Sequence, residues 1–277
     1  MPQRPVMTSL FTIFVLLAVW VTDSTADKVY ELGRAPQSSA TKLTKDWKPY
    51  LKLLKDKTNI EVKLRLYPSR DEFEKHLLMG ETDFFYANPF YYLIAKNRNQ
   101  YIPVVRSNAK TLNGIIVTKK DSPINSIEDL NNKTLSFPAQ NALGASLYIR
   151  SLLSQKGIEI KPIYTRTHEN SYLAVIYEKS VASGGVGRTF KEFKEKDKYK
   201  TIFTTPGLAP HPLFASPKVP EDVRNAIANF TIELAASEEG KKILKKIKLQ
   251  DPILANHGRD YEILNDLHIV SFSTFNK

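Results

Sequence analysis

Apolar positions along this chain change period repeatedly, and each change marks an element. Lys28 to Leu32 reads as a short strand, and Gly33-Arg34-Ala35-Pro36-Gln37-Ser38-Ser39 has the small and turn-forming residues of an exposed loop. Trp47, Tyr50, Leu51 and Leu54 then recur at helical spacing, whereas Ile60, Val62, Leu64 and Leu66 alternate as on a half-buried strand. Ser69-Arg70-Asp71-Glu72 has the capping-box pattern of a helix start, and Gly80 suits its end. The run from Asp83 to Tyr92 is apolar and aromatic, a core strand by composition, but one that ends in Tyr86-Ala87-Asn88-Pro89. A strand leaving the core through a phenol, an amide and a proline puts polar groups where a ligand could meet them.

The alternation restarts further on. Gly114 to Thr118 predicts a strand, Asp121-Ser122-Pro123 a turn, Ser126 to Leu130 a short helix and Thr134 to Phe137 a strand. A helix over Gly144 to Leu153, a strand over Ile160 to Tyr164, a helix over Ser171 to Tyr177 and a strand-like stretch at Val181 to Val186 follow. Beyond Lys200 come a strand at Thr201 to Thr205, a segment from Pro206 to Pro220 with five prolines, and helices at about Glu221 to Ala236 and Ser237 to Ile247. Strands alternating with helices predict layered α/β units with parallel crossovers, here two lobes around a cleft with a helical tail.

The N-terminus changes the setting. Arg4 precedes an apolar run from about Leu10 to Val21, and Ser24-Thr25-Ala26 offers small residues for cleavage, the pattern of a signal peptide with a mature chain starting near Asp27. The run is shorter than the roughly 20 residues a spanning helix needs. An exported, periplasmic chain is expected. It contains no cysteine in 277 residues, which excludes disulfides, thiolate metal sites, cysteine nucleophiles and a lipid-modified N-terminal cysteine.

Forty Lys and Arg against 29 Asp and Glu give a net charge of +11, which fits nucleic acid, an acidic membrane surface or a small anion as partner. Nucleic acid is disfavoured because the aromatics sit in apolar strands rather than between basic residues. The basic clusters at Lys191 to Lys200 and Lys241 to Lys248 read as solvated helix faces. There is no Gly-x-Ser-x-Gly elbow, Walker loop, dinucleotide Gly-x-Gly-x-x-Gly turn or acid pair, and Gly184-Gly185-Val186-Gly187 is too short to stand for one. A catalyst is therefore not expected, nor a metal or cofactor. His168-Glu169-Asn170-Ser171-Tyr172 likewise misses the zinc-protease pattern, since Tyr172 stands where a second imidazole is needed.

Four segments carry a resemblance to a known family. They are Gly80 to Tyr92; Gly114 to Phe137 with Ile127-Glu128-Asp129-Leu130; His168-Glu169-Asn170-Ser171-Tyr172 with Ala174-Val175; and Pro210-His211-Pro212-Leu213 through Pro220-Glu221-Asp222-Val223. In this order they resemble the PhnD-like periplasmic substrate-binding proteins of phosphate, phosphite and phosphonate ABC transporters. The resemblance implies a type II periplasmic-binding-protein fold: a first lobe over residues 27–110 and 201–277, after a signal at 1–26, with a second lobe over 111–200. It implies a monomer that binds a small oxyanion by lobe closure and docks on ABC permease subunits. A ligand-sensing component of a signalling system with the same fold, binding a different small solute, is the alternative.

The resemblance also nominates ligand contacts. Pro138 to Leu143 joins a strand to a helix N-terminus, where free N–H groups and the helix dipole favour an anion. The family turn there is rich in serine and threonine, whereas Asn141, Ala142, Leu143 and Gly144 offer backbone amides without hydroxyls, and Ser146 lies one turn late. His168 matches the histidine that reaches ligand in the family, with Glu169 and Ser171 as helix caps. Tyr86, Asn88 and Tyr91 are first-lobe candidates, and Arg34, Gln37 and Asn113 lie on loops expected to face the same cleft. Ala182 stands where the family commonly has an aspartate for an amino group, which argues against an aminated phosphonate.

Overall fold

The computed structural model describes residues 28–36 and 38–276, so the predicted signal segment and Gln37 lie outside the described residues. Two sheets organise the chain. The first is built from β1 (Tyr30–Arg34), β2 (Val62–Leu66), β3 (Phe84–Tyr86), β4 (Ile102–Ser107), β10 (Pro212–Ala215) and β11 (Pro252–Leu254), in the order β11-β4-β10-β3-β1-β2. The second contains β5 (Gly114–Lys119), β6 (Lys133–Phe137), β7 (Ile160–Tyr164), β8 (Ala182–Val186) and β9 (Tyr199–Thr204), ordered β7-β6-β8-β5-β9. The chain crosses between β4 and β5, returns between β9 and β10, and the two crossing segments pair at Leu112 and Leu208.

In the first sheet β1 pairs in parallel with β2 and β3, through crossovers that carry α1 (Ala40–Thr58) and α2 (Arg70–Met79). In the second, β6 pairs in parallel with β7 and β8, through crossovers carrying α4 (Tyr148–Gln155) and α5 (His168–Ile176). Open sheets of this kind bind ligands beyond the carboxyl ends of their parallel strands. Those ends are where Arg34 and Tyr86 in the first sheet, and the segment after Val186 in the second, come to lie. Among the described residues no helix is long and apolar enough to cross a membrane.

Several elements follow the sequence reading. Ser69 accepts from the Glu72 amide at the start of α2, and Gly80 ends it in the left-handed conformation at φ 67°. Others differ. Only Phe84 to Tyr86 of the aromatic run is strand; Asn88 accepts from the Tyr91 amide and caps a helix, α3 (Pro89–Asn99), because proline is favoured in a first helical turn. Gly33 and Arg34 belong to β1 rather than to an exposed loop, and Arg34 is only 4% exposed. Strands β4, β10 and β11 had no sequence expectation, since Pro103, Pro212 and Pro252 begin or interrupt them. The predicted helix from Gly144 begins as a π-helical turn at Leu143–Leu147 before α4, and Thr167, not Glu169 or Ser171, caps α5.

One hydrophobic cluster crosses from one sheet to the other. Phe73, Phe85, Phe90, Tyr91 and Tyr92 pack with Leu143, Leu147 and Tyr148 of the second sheet's layer and with Tyr261, Leu264 and Ile269 of the tail. The tail ties down the second lobe as well: Ser151 hydrogen-bonds the Leu267 carbonyl, and Gln140 and Arg150 donate to that of Phe272 at 3.1 and 2.9 Å. The lobes are therefore fastened along one side by two crossing strands, a shared core and the C-terminal segment.

Candidate functional site

Arg34 and Tyr86 are register partners at the ends of β1 and β3, so their side chains leave the sheet side by side. The Arg34 guanidinium lies 4.5 Å from the Tyr86 ring centroid and 5.3 Å from that of Trp47, a cation–π sandwich in a buried setting. One of its terminal nitrogens donates to the Tyr86 carbonyl, while Nε is buried and without a partner. Burial pulls the guanidinium down to about 10. The Tyr86 hydroxyl, pushed up to about 12 by burial, donates to the Lys248 carbonyl at 2.9 Å. The His211 ring stacks 5.9 Å from the Tyr86 ring.

Lys248 ends α8 (Glu238–Ile247) in the left-handed conformation, φ 65°, which turns it out of the helix face that its neighbours share. Desolvation and the charges of Arg188 and Arg34 bring it down to about 8. Desolvation, with Arg34, Lys248 and Arg188, takes His211 to about 3, so it is a neutral imidazole at physiological pH.

The second lobe contributes Arg188, in the short helix α6 (Gly187–Glu192) that leaves the end of β8. Its charge acts on Tyr86, His211, Lys248 and His168. His168, the first residue of α5, is lowered to about 4 by burial and by Arg188 and Arg70, and its Nδ1 is buried without a partner. Arg70 opens α2 and reaches the Tyr91 hydroxyl at 3.4 Å.

Beside Arg70 the lobes meet in a polar knot. The Glu74 carboxylate accepts from the Tyr91 hydroxyl at 2.6 Å and the Asn141 amide at 2.9 Å, with the Thr274 hydroxyl at 3.5 Å. Asn141 also donates to Thr274 at 2.6 Å and accepts from its amide at 3.0 Å. Both side-chain polar atoms of Asn141 are thus engaged between the lobes and the tail. Among the described residues the amides of Leu143, Gly144 and Ala145 open the helix without an acceptor, as first-turn amides do.

The structure gathers the sequence-predicted residues into separate places. Arg34 and Tyr86 lie together at the ends of β1 and β3, and the Arg188 charge acts on both Tyr86 and His168. Tyr91 and Asn141 join through Glu74, and Ala142 and Gly144 flank Asn141 in the π-helical turn. Asn88 is engaged as a cap, and Asn113 donates to the Thr205 carbonyl at 3.0 Å and accepts from Thr111 at 2.8 Å, which fixes the crossing strands. Ala182 is fully buried in the second lobe's core with Leu135 and Ile116, at the strand end away from Arg188. An aspartate there would point into apolar packing, so that position carries no information about ligand.

Arg188, His211, Lys248, Arg70 and Glu74 were not anticipated as site residues. Lys248 lies in a cluster read as a solvated helix face, and its side chain is exposed. Its signal was the break in periodicity after Ile247, where the chain leaves the helix. Among the described residues, Arg34, Arg70, Arg188 and Lys248 make no salt bridge, although fourteen ion pairs occur elsewhere. No group of His, Asp and Glu there could hold a metal ion. The arrangement can recognise negative charge.

Two α/β lobes joined by crossing strands, with Arg34, Arg70, Arg188 and Lys248 near their strand ends, have the build of the two-lobed solute receptors. The model of the family "ABC transporter, phosphonate, periplasmic substrate-binding protein" matches residues 32–261, and the chain belongs to that family. Its members are extracytoplasmic solute receptors that serve membrane permeases. The fold is similar to that of a binding-protein component of a phosphonate ABC transporter from Pseudomonas aeruginosa, with a TM-score of 0.71 and 17% identity over 87% of this chain and 86% of that one. PhnD1 of Prochlorococcus marinus, solved with methylphosphonate, gives 0.73 at 16% identity, covering 87% and 97%. The aliphatic sulphonate binding protein SsuA of Escherichia coli gives 0.63 at 13%, covering 88% and 91%. No curated protein matches the sequence.

Proposed function

We propose that this chain captures a small oxyanion of the phosphate, phosphite or phosphonate class in the cleft between its lobes and delivers it unaltered to an ABC permease. The observation that carries this reading is Arg34: a guanidinium only 4% exposed, with a buried free Nε and, among the described residues, no salt bridge. A buried charge without a counterion is costly, and an anionic solute supplies what the protein withholds. The family supports the oxyanion class, and methylphosphonate and sulphonate among the ligands of similar folds support a tetrahedral anion of this size.

Arg34, Lys248 and Arg188 supply charge, Tyr86 and neutral His168 supply oriented hydrogen bonds, and Trp47 and Tyr86 keep water from the floor. Closure of the second lobe brings Arg188 onto the captured anion, so ligand affinity and lobe closure are coupled. A thermal-shift panel of phosphate, phosphite, methylphosphonate, aminoethylphosphonate, sulfate and uncharged polyols tests the reading. An anion at a hundred times its dissociation constant adds about 2.7 kcal/mol of stability. A shift with uncharged solutes and none with oxyanions would overturn it.

A further inference from the structure

The chain's net charge is not spread evenly. Helix α1 carries six lysines against two aspartates, and α8 four lysines against two glutamates, so these two helices hold six of the eleven net positive charges. They pack on each other and share one hydrophobic cluster, through Trp47, Tyr50 and Leu54 of α1 and Ile243, Leu244 and Ile247 of α8. Phe84 and Tyr86 point into that cluster, while Phe85 between them points into the one that reaches the second lobe. The two helices are therefore the outer layer of the first lobe, on the face of its sheet turned away from the second. Leu43, Trp47, Tyr50 and Leu54 bury one stripe of α1, and Lys45, Lys48, Lys52 and Lys55 form the opposite stripe at i, i+3, i+7 and i+10. Every lysine of both helices is exposed. Lys42, Lys52 and Lys241 pair with carboxylates of their own helix, and Lys55 pairs with Glu61. Among the described residues Lys45, Lys48, Lys57, Lys242, Lys245 and Lys246 make no salt bridge.

The make-up of this face selects its partner. It is long: α1 alone has 19 residues and rises about 28 Å, more than a small anion can span. Its ten cations are all lysines, and neither helix contains an arginine. Lysine is a hydrated point charge suited to a diffuse field, whereas nucleic acid is gripped by arginine forks and stacking aromatics, and Trp47 and Tyr50 are buried. The exposed large apolar residues, Val29, Met79, Tyr164, Tyr177, Leu254 and Ile263, all lie off both helices, so an acidic protein would meet charge here without an anchor. A bilayer surface needs no anchor, because its field acts on each lysine that comes within a Debye length. We propose that the outer face of α1 and α8 rests on a membrane surface containing anionic lipid, held by charge alone and without insertion. The exported chain is thereby kept in the plane where a membrane partner lies, with the opposite face of its first sheet free to carry the second lobe.

Co-sedimentation of the chain purified after export, with vesicles of phosphatidylglycerol and phosphatidylcholine or of phosphatidylcholine alone, tests this in about 0.05 and 0.5 M salt. The chain binds the anionic vesicles at low salt, at least about tenfold more weakly at high salt, and leaves the neutral vesicles alone. Lys45→Gln, Lys48→Gln, Lys242→Gln and Lys245→Gln together weaken that binding at least about tenfold, since each charge near such a surface counts severalfold, and hold the melting midpoint within about 2 °C. Lys133→Gln, Lys156→Gln, Lys161→Gln and Lys179→Gln together remove the same charge from exposed positions of the second lobe and leave binding within about threefold. Equal binding to neutral and anionic vesicles, equal losses in the two quadruple variants, or tighter binding to double-stranded DNA than to anionic vesicles at the same salt would overturn the proposal.

Discussion

Replacing Arg34 by Met separates what the residue does for binding from what it does to the fold. Burial takes the guanidinium from 12.5 to about 10, and at about 1.36 kcal/mol per pKa unit, holding the charge there costs the empty protein about 3 kcal/mol. Against this stand the bond to the Tyr86 carbonyl and the contacts with the Tyr86 and Trp47 rings, each kind worth about 1 kcal/mol. Methionine fills the same slot without charge and keeps much of the packing. The net is a gain of about 1 kcal/mol for the empty variant, a rise of about 2–4 °C in midpoint for a domain of this size. Differential scanning fluorimetry with and without oxyanion reads both effects: the variant melts higher than the parent when empty and loses the ligand-induced rise. A variant that melts lower than the parent, or that keeps the full ligand response, would refute the reasoning, because the charge would then belong to the fold rather than to the solute.

Three further outcomes follow from the same geometry. Glu74→Leu strands the Tyr91 hydroxyl and the Asn141 amide, costing about 2–4 kcal/mol in urea unfolding, and an undiminished midpoint would show that the interlobe knot contributes nothing. His168 and His211 titrate near 4 and 3 when folded but near 6.5 when unfolded, so below pH 6.5 the unfolded chain takes up protons first and stability falls, each histidine adding up to about 1.4 kcal/mol per pH unit. His211→Asn should flatten that acid limb in pH-dependent melting, and an unchanged slope would place His211 in water. Gly114→Ala drives a methyl group into the Gly144 carbonyl, a backbone atom with little room to yield, and should cost about 1–3 kcal/mol by calorimetry, where a neutral result would mean the π-helical turn is free to move.

The alternation of strand and helix was legible where a strand had period-two apolar positions and a helix a stripe, as in Val62 to Leu66 and Trp47 to Leu54. Strands β4, β10 and β11 were not, since they are short and contain or begin with proline, and their burial comes from neighbours distant in sequence. The helix α3 after Pro89 was not legible because it is buried nearly all round and shows little polar stripe. Among the candidate site residues, Tyr86 stood out as a strand-end polar residue, Arg34 was placed on a loop that proves to be the end of β1, and His168 was nominated by the family resemblance and by its place between a strand and a helix. Arg188, His211 and Lys248 were not, because only tertiary packing turns three residues from distant segments toward Tyr86. Asn141 was placed by its loop, yet its amide is committed to Glu74 on the other lobe, a pairing 67 residues apart that no local pattern encodes.

Phosphorus NMR of methylphosphonate mixed with an equimolar amount of the purified chain tests most directly whether the cleft holds an oxyanion without changing it. The account predicts a signal shifted or broadened by the parent chain, unperturbed by the Arg34→Met variant, and restored to its original position when the protein is removed. A spectrum untouched by the parent chain, or a new phosphorus species growing with time, would contradict it.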